Sequence, residues 1–232
     1  MQNFGHVEVL TFDCYGTLID WEAGMLEALR PMFSAHQVEI TSDQILELYA
    51  ELETEAESRE YCEYKTVLRQ VTREFGLRLG FDPTPGELRY LSASVKDWLP
   101  FPDTISALRA LKQRYKLAII SNIDDDLFSF SARKLEAPFD WVITAEQVRS
   151  YKPSLNNFRR ALDRIDAPPA RVLHIAQSIY HDIIPAQQLG LATVWVNRRH
   201  GKAGCGATPP AMAEPDLEVP DLETLVRRLD LE

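Results

Sequence analysis

The stretch that decides the fold is residues 8–18, EVLTFDCYGTL. An apolar run ends abruptly at one carboxylate, Asp13, and Gly16 opens a turn three residues later. A buried strand that stops at a lone acid and a glycine turn is what a parallel sheet shows at its carboxyl edge, where open α/β sheets place their sites. Working outward, the same kind of run recurs, and strands are predicted at 7–12, 116–121, 139–144, 171–176 and 192–197. Four of these five are continuously apolar, as strands covered on both faces are. Helical spacing fills the gaps, with Ile105, Leu108 and Leu111 over 103–115, and Phe158, Leu162 and Ile165 over 155–166. A further helix over 181–190 stops at Gly190. Strand and helix in alternation predict an α/β fold, a doubly wound parallel Rossmann-like sheet with right-handed crossovers.

Residues 20–99 break that rhythm. Met25, Leu29, Met32 and Phe33 share one helix face, Thr41 and Gln44 form a capping box for a second helix, and YCEYKTVLRQVTREFG continues in helical spacing. Pro100 and Pro102 mark the return to the sheet. The reading is a core of residues 1–19 and 100–232 with a helical cap, 20–99, inserted after the first strand.

A chain of 232 residues buries a substantial core. With 35 acidic against 25 basic residues the net charge is −10, which argues against nucleic acid or an anionic membrane as the main partner. A small anionic substrate stays open, because a few local donors outweigh a diffuse field. Cys14, Cys62 and Cys205 form no metal-ligand pattern and read as reduced thiols, so a cytoplasmic protein is expected. The first residues, MQNFGHVEV, carry no signal-peptide pattern, and no window approaches the ~20 apolar residues of a membrane span.

The strand ends carry the chemistry. Asp13 ends the first strand and Ser121–Asn122 the second; Lys152–Pro153 follows the third, and the fourth runs into AQSIYHD with Gln177, Ser178, His181 and Asp182. Topology therefore brings a carboxylate, a hydroxyl with an amide, an ammonium and a second carboxylate to one edge. Taken singly each has a plainer reading: Asp13 or Ser121 as a helix cap, Lys152 as a solvated charge, Asp182 as an acid on a helix dipole, His181 and His200 as surface histidines. Tyr64 and Trp98 read as packing within the cap, and Cys14 as a small buried hydrophobe.

FDCYGTL, IISNI, SYKP and AQSIYHDIIPAQQLG, in this order and spacing, resemble the four motifs of the haloacid dehalogenase superfamily, over roughly residues 7–20 and 100–200. The resemblance implies that Asp13 is a nucleophile forming a covalent aspartyl intermediate. It implies that Ser121 and Asn122 hold the anionic group of the substrate, that Lys152 steadies the charge of Asp13, and that Asp182 orders the site. A buried ammonium beside Asp13 would keep it ionised while stripping its hydration shell. The Gly16–Thr17 turn would let backbone N–H groups approach an anion. Asp182 or His181 would position or deprotonate the water that cleaves the ester.

Phosphatases of the superfamily carry a second aspartate two residues after the nucleophile and an acid just before the serine of the last motif. Here those positions hold Tyr15 and Gln177, both neutral, which leaves too little charge for Mg²⁺. The 2-haloacid dehalogenase branch is similar in having tyrosine there. No metal and no cofactor are expected, and the substrate implied is a small carboxylic acid with a displaceable group at C2, with Tyr15, Ser121, Asn122, Gln177 and Ser178 around it. FDCYGTLIDWEAG, SIYHDIIPAQQLGL and NRRHGKAGCGAT resemble in addition the azetidine-2-carboxylate hydrolase subgroup, which opens a strained ring at C2. Ile179 stands where dehalogenases commonly carry asparagine, and only Arg59 lies near the segment of their halide-binding arginine. Halide and ring amine both stay open as leaving groups. The other readings are a phosphatase with residual Mg²⁺ dependence and a binding protein that has lost the chemistry. A homodimer built through the cap is also implied.

Overall fold

The structure, a computed structural model, describes residues 4–202 and 204–231. Six parallel strands form one sheet in the order β3-β2-β1-β4-β5-β6. They are β1 (Val9–Phe12), β2 (Lys116–Ser121), β3 (Trp141–Thr144), β4 (Val172–Ala176), β5 (Ala192–Val196) and β6 (Leu217–Val219). The first five sit within the predicted stretches. The sixth is three residues between turn formers, too short to raise a period-two signal. β1 is central, paired to β2 on one side and β4 on the other, so the strand order reverses beside it. That reversal opens the crevice at the carboxyl ends in which α/β sheets bind ligands.

The insert that follows β1 carries α1 (Trp21–Ala35), α2 (Ser42–Glu57), α3 (Tyr64–Leu79) and α4 (Tyr90–Ser94). Asp20 caps α1, and its side chain accepts the Ala23 N–H at 3.2 Å. The predicted Thr41–Gln44 capping box starts α2, and α3 ends on Gly80 in the left-handed region. Both chain crossings to this insert run side by side: Asp20 N–H donates to Leu99 O at 2.8 Å and Phe101 N–H to Leu18 O at 3.1 Å. The remaining helices are α5 (Thr104–Lys112), α6 (Asp125–Leu135), α7 (Ala145–Val148), α8 (Leu155–Ile165), α9 (Ile184–Gln188) and α10 (Leu222–Arg228). The predicted helix at 181–190 starts instead as a π-helical turn, Ile179–Ile183, ahead of α9. Pro185 has no N–H for the carbonyl four residues back, which favours the wider turn there.

Alternate strand residues bury two faces. Leu10 and Phe12 join Met25, Leu29, Tyr49 and Phe75 of the insert in one continuous core, while Val9, Ala118 and Ile120 meet Phe158 and Ala161 of α8 on the other side. Trp98 lies against Gly24, where a Cβ would stand 2.1 Å from the indole, and meets the Tyr15 ring edge-on at 5.7 Å. Its role is packing beneath the site. No helix among the described residues is long and apolar enough to cross a membrane.

Candidate active site

The sheet topology puts the predicted residues where they can touch. Lys152, in the loop after α7, is buried, and its Nζ lies 2.8 Å from Asp13 Oδ1, 2.6 Å from Asp182 Oδ1 and 2.9 Å from Ile120 O. Three N–H bonds thus have three acceptors, two of them carboxylates. Thr17 Oγ1 donates to Asp13 Oδ2 at 2.7 Å and accepts the Gln177 N–H at 2.9 Å, so both oxygens of Asp13 are held. Behind them His174 Nε2 donates to Asp182 Oδ1 at 3.0 Å, and Thr11 Oγ1 lies 2.9 Å from His174 Nδ1. A carboxylate partner at Nε2 requires that this nitrogen carry its hydrogen.

Electrostatics separate the two acids. Burial pushes Asp13 up from the ordinary carboxylate range, with Lys152 pulling against it and Asp182 adding to the rise. Burial acts on Asp182 in the same sense, but Lys152 and His174 outweigh it and hold the carboxyl low. Burial alone would lower Lys152; the two carboxylates more than offset it and raise the ammonium. Asp182 is thus the fixed counter-ion, and Asp13 is the acid whose charge is least comfortable, the condition that makes a carboxylate reactive.

The crevice above Asp13 is lined by Tyr15, Ser121, Asn122, Gln177, Ser178, His181 and Asp182, all of the predicted set. Ser121 Oγ is buried without a protein partner, so its hydroxyl is left for something in the crevice. Asn122 is locked instead: Lys152 N–H donates to its Oδ1 at 2.7 Å, and its Nδ2 donates to Lys152 O at 3.1 Å and to Glu57 Oε2 at 3.2 Å. Tyr15 presents its ring while its hydroxyl pairs with Ser131 Oγ at 2.9 Å. Ser178 Oγ accepts the His181 N–H at 2.9 Å and lies 3.1 Å from His181 Nδ1. Oγ can donate to Nδ1 or, with its second lone pair, accept from it, so either tautomer of the ring satisfies the contact. Burial holds His181 down to about 4, so the ring is neutral at ordinary pH. The Gly16 N–H expected for an anion is taken by Ile19 O at 2.8 Å, because the turn closes on itself. What Gly16 supplies is room: its φ is +95°, and a Cβ would sit 3.0 Å from Trp21 Nε1 and 3.1 Å from Gln177 Oε1.

Sequence reasoning missed the contribution of α2. Glu53 and Glu57, one turn apart, both reach the crevice, with Tyr64 and Trp21 beside them. Glu53 Oε1 accepts Tyr64 Oη at 2.6 Å and Tyr49 Oη at 2.9 Å. Arg59 does not line it; its guanidinium pairs with Glu55 at 3.0 Å on the surface. Burial, against the two phenols, raises Glu53 to about 7. The folded chain then keeps a proton that the unfolded chain has lost, so stability is full below about pH 4.5 and declines as pH rises to about 7. Glu53→Gln keeps an oxygen for both phenols and removes that decline. Thermal melts should find the variant more stable than wild type at pH 8, by on the order of 2 kcal/mol, with the gap closing by pH 4. A gap independent of pH would refute the assignment.

A divalent ion does not fit this donor set. The Lys152 ammonium already lies between Asp13 and Asp182, the flanking Tyr15 and Gln177 are neutral, and no group of three metal-ligating side chains occurs among the described residues.

The profile of the haloacid dehalogenase-like hydrolases matches residues 7–190. An (S)-2-haloacid dehalogenase from Burkholderia cepacia is 26% identical over 201 residues, covering 81% of this chain and 82% of that enzyme. A pyrimidine 5′-nucleotidase from Escherichia coli is 29% identical over 135 residues, 57% of this chain and 60% of that one. The L-2-haloacid dehalogenase of Xanthobacter autotrophicus superposes with a TM-score of 0.79 at 20% identity, over 97% of this chain and 98% of that structure, which speaks for the fold alone.

Proposed function

Because the chain belongs to the haloacid dehalogenase-like hydrolase family, we propose that it hydrolyses a small 2-substituted carboxylic acid at C2 through an ester on Asp13, without a metal. The observation that carries this reading is the Asp13–Lys152–Asp182 chain, 2.8 and 2.6 Å across one ammonium, with neutral Tyr15 and Gln177 beside it. Phosphoryl transfer would need positive charge to spread over the phosphate oxygens, and the only such charge in the crevice lining, Lys152, has its three N–H bonds occupied. Substitution at carbon needs less: a desolvated carboxylate aimed at C2 and a seat for the substrate carboxylate.

Ser121 Oγ, lacking a partner, is the natural donor to that carboxylate. Asp13 Oδ attacks C2, the leaving group departs with its bonding electrons, and the ester forms as the negative charge next to Lys152 disappears. Water then adds to the Asp13 carboxyl carbon, releasing a 2-hydroxy acid and restoring the carboxylate. His181 or Asp182, both in the lining of the crevice, accepts the proton of the attacking water. The inserted helices, residues 20–99, act as the cap that shuts the crevice from bulk water. Haloacids are the substrates named for the dehalogenase relatives; a strained 2-imino acid would satisfy the same chemistry.

With chelator present, the protein is expected to turn over (S)-2-chloropropionate or L-azetidine-2-carboxylate and not an aryl phosphate. A single turnover in ¹⁸O-water should place the label in the Asp13 side chain. Phosphate turnover restored only by Mg²⁺ would replace this reading with a phosphatase, and binding without turnover would replace it with a binding protein.

A further inference from the structure

Two features of the crevice meet at Asn122. Ser121 Oγ, one residue earlier in the chain, is buried without a partner and is the seat proposed for the substrate carboxylate. The Asn122 side chain reaches Glu57, with Nδ2 3.2 Å from Oε2 and 3.4 Å from Oε1. Among the described residues Glu57 has no other hydrogen-bond partner, and no cation pairs with it. It is also the last residue of α2, where the helix dipole disfavours negative charge. The titratable groups around it add little to hold a charge. Glu53 and Tyr49 lie on its own helix, Tyr64 on α3, and Asp13, His181 and Asp182 at the sheet edge. Tyr151 and Cys62, close enough to sense its charge, are joined by a 2.7 Å bond from Tyr151 Oη to Cys62 O. Lys152 is the cation of the lining, and its three N–H bonds go to Asp13, Asp182 and Ile120 O.

We propose that Glu57 in its acid form is the second donor to the substrate carboxylate, beside Ser121, so that the crevice takes its substrate together with one proton. This rests on the reading above for the seat of the carboxylate, and does not need the Asp13 ester. Two carboxylates brought to one side chain repel; a single proton between them replaces the repulsion with a charge-assisted O–H···O⁻ bond. With the hydrogen on one oxygen, Glu57 keeps the other as acceptor for Asn122 Nδ2. Burial raises Glu57 well above the ordinary carboxylate range and Glu53 adds to the rise, while Lys152 and Asn122 pull against it. The bound carboxylate raises it further. Binding therefore takes up a proton wherever free Glu57 has lost one, and substrate capture fades as the medium becomes alkaline. Glutamine at this position has the same shape and offers an N–H in place of the O–H, but cannot ionise.

The test is calorimetric binding of propionate, which has the carboxylate and no leaving group, to wild type, Glu57→Gln and Glu57→Leu. In wild type, Kd should be level at acid pH and weaken about tenfold per pH unit once Glu57 ionises, with one proton taken up per propionate there. The dependence of the heat on the buffer's ionisation enthalpy reads that proton. Glu57→Gln should keep the acid-side Kd within about threefold and show neither the weakening nor the uptake. Glu57→Leu, with no donor, should bind about tenfold or more weakly at acid pH. The kcat/KM for (S)-2-chloropropionate should follow the same pH course, and kcat should not. Uptake that persists in Glu57→Gln belongs to another group and overturns the proposal. So does a wild-type Kd that stays level between about pH 6 and pH 10, or a Glu57→Gln that binds as weakly as Glu57→Leu. Turnover of the haloacid alongside any of these leaves the Asp13 ester standing. Proton-linked propionate binding without turnover of any 2-substituted acid overturns the ester and leaves this proposal. If Glu57→Gln does not fold, Glu53→Gln replaces it: without the charge of Glu53 the weakening should begin at lower pH, and an unmoved onset overturns the proposal.

Discussion

Asp13→Asn lowers kcat by about 10⁴-fold or more, the scale set by removing a nucleophile from other hydrolases that form covalent intermediates. The substitution is nearly isosteric, and an amide oxygen turned toward Lys152 Nζ keeps the 2.8 Å hydrogen bond. The fold should therefore survive, and KM should change far less than kcat. The amide would have to orient its NH₂ toward Thr17 Oγ1, 2.7 Å from Oδ2, which that hydroxyl can accept by rotating. What is lost is the lone-pair donor of full charge. The check is steady-state turnover together with the intact mass of the variant, since reversion to aspartate by deamidation would return activity with time. Undiminished kcat in protein whose mass shows asparagine throughout would end the ester mechanism.

Lys152→Met is expected to be the most damaging change for stability as well as for turnover. Methionine is close to lysine in size, so the loss is one of charge. It leaves Asp13 and Asp182 facing each other, both buried, with no cation between them. Breaking a buried pair by removing one partner costs about 3–5 kcal/mol. The pH dependence should also change sense. In wild type the lowered carboxyl of Asp182 contributes stability above the unfolded carboxylate range, lost as pH falls through the folded value. Without Lys152, burial raises both acids in the folded chain, which then binds protons that the unfolded chain has released. Stability falls as pH rises through those raised values, so the deficit against wild type should be larger at pH 8 than at pH 5. Chemical denaturation at the two pH values reads this directly. A deficit that grows on acidification would contradict the arrangement of charges described here.

The sheet was legible because its period is short and its strands are apolar on both faces. VLTF and KLAIIS read as strands without reference to anything distant. The Thr41–Gln44 cap is equally local, a matter of two side chains three residues apart. β6 was not legible, since three residues carry no pattern. At the site, Asp13 and Lys152 lie 139 residues apart, and only the order of the strand-end motifs joins them. His174 was readable in principle: an imidazole in the apolar run RVLHIA needs a partner, and Asp182 supplies it. Glu53 and Glu57 were not. Helix α2 carries Glu47, Glu51, Glu53, Glu55 and Glu57, and solvated acids on a helix look the same in sequence as acids turned inward. Only the packing of Tyr49 and Tyr64 around Glu53 tells them apart.

The adjacent crossings at Ile19 and Pro100, joined by an antiparallel bridge, mean that an excursion of some eighty residues departs and returns at a single anchor point. Asp13 and Lys152 belong to the sheet and its loops, whereas Glu53 and Glu57 reach the same crevice from the excursion. Part of the crevice lining can therefore be changed within one contiguous segment of the gene while the Asp13–Lys152 pair keeps its geometry.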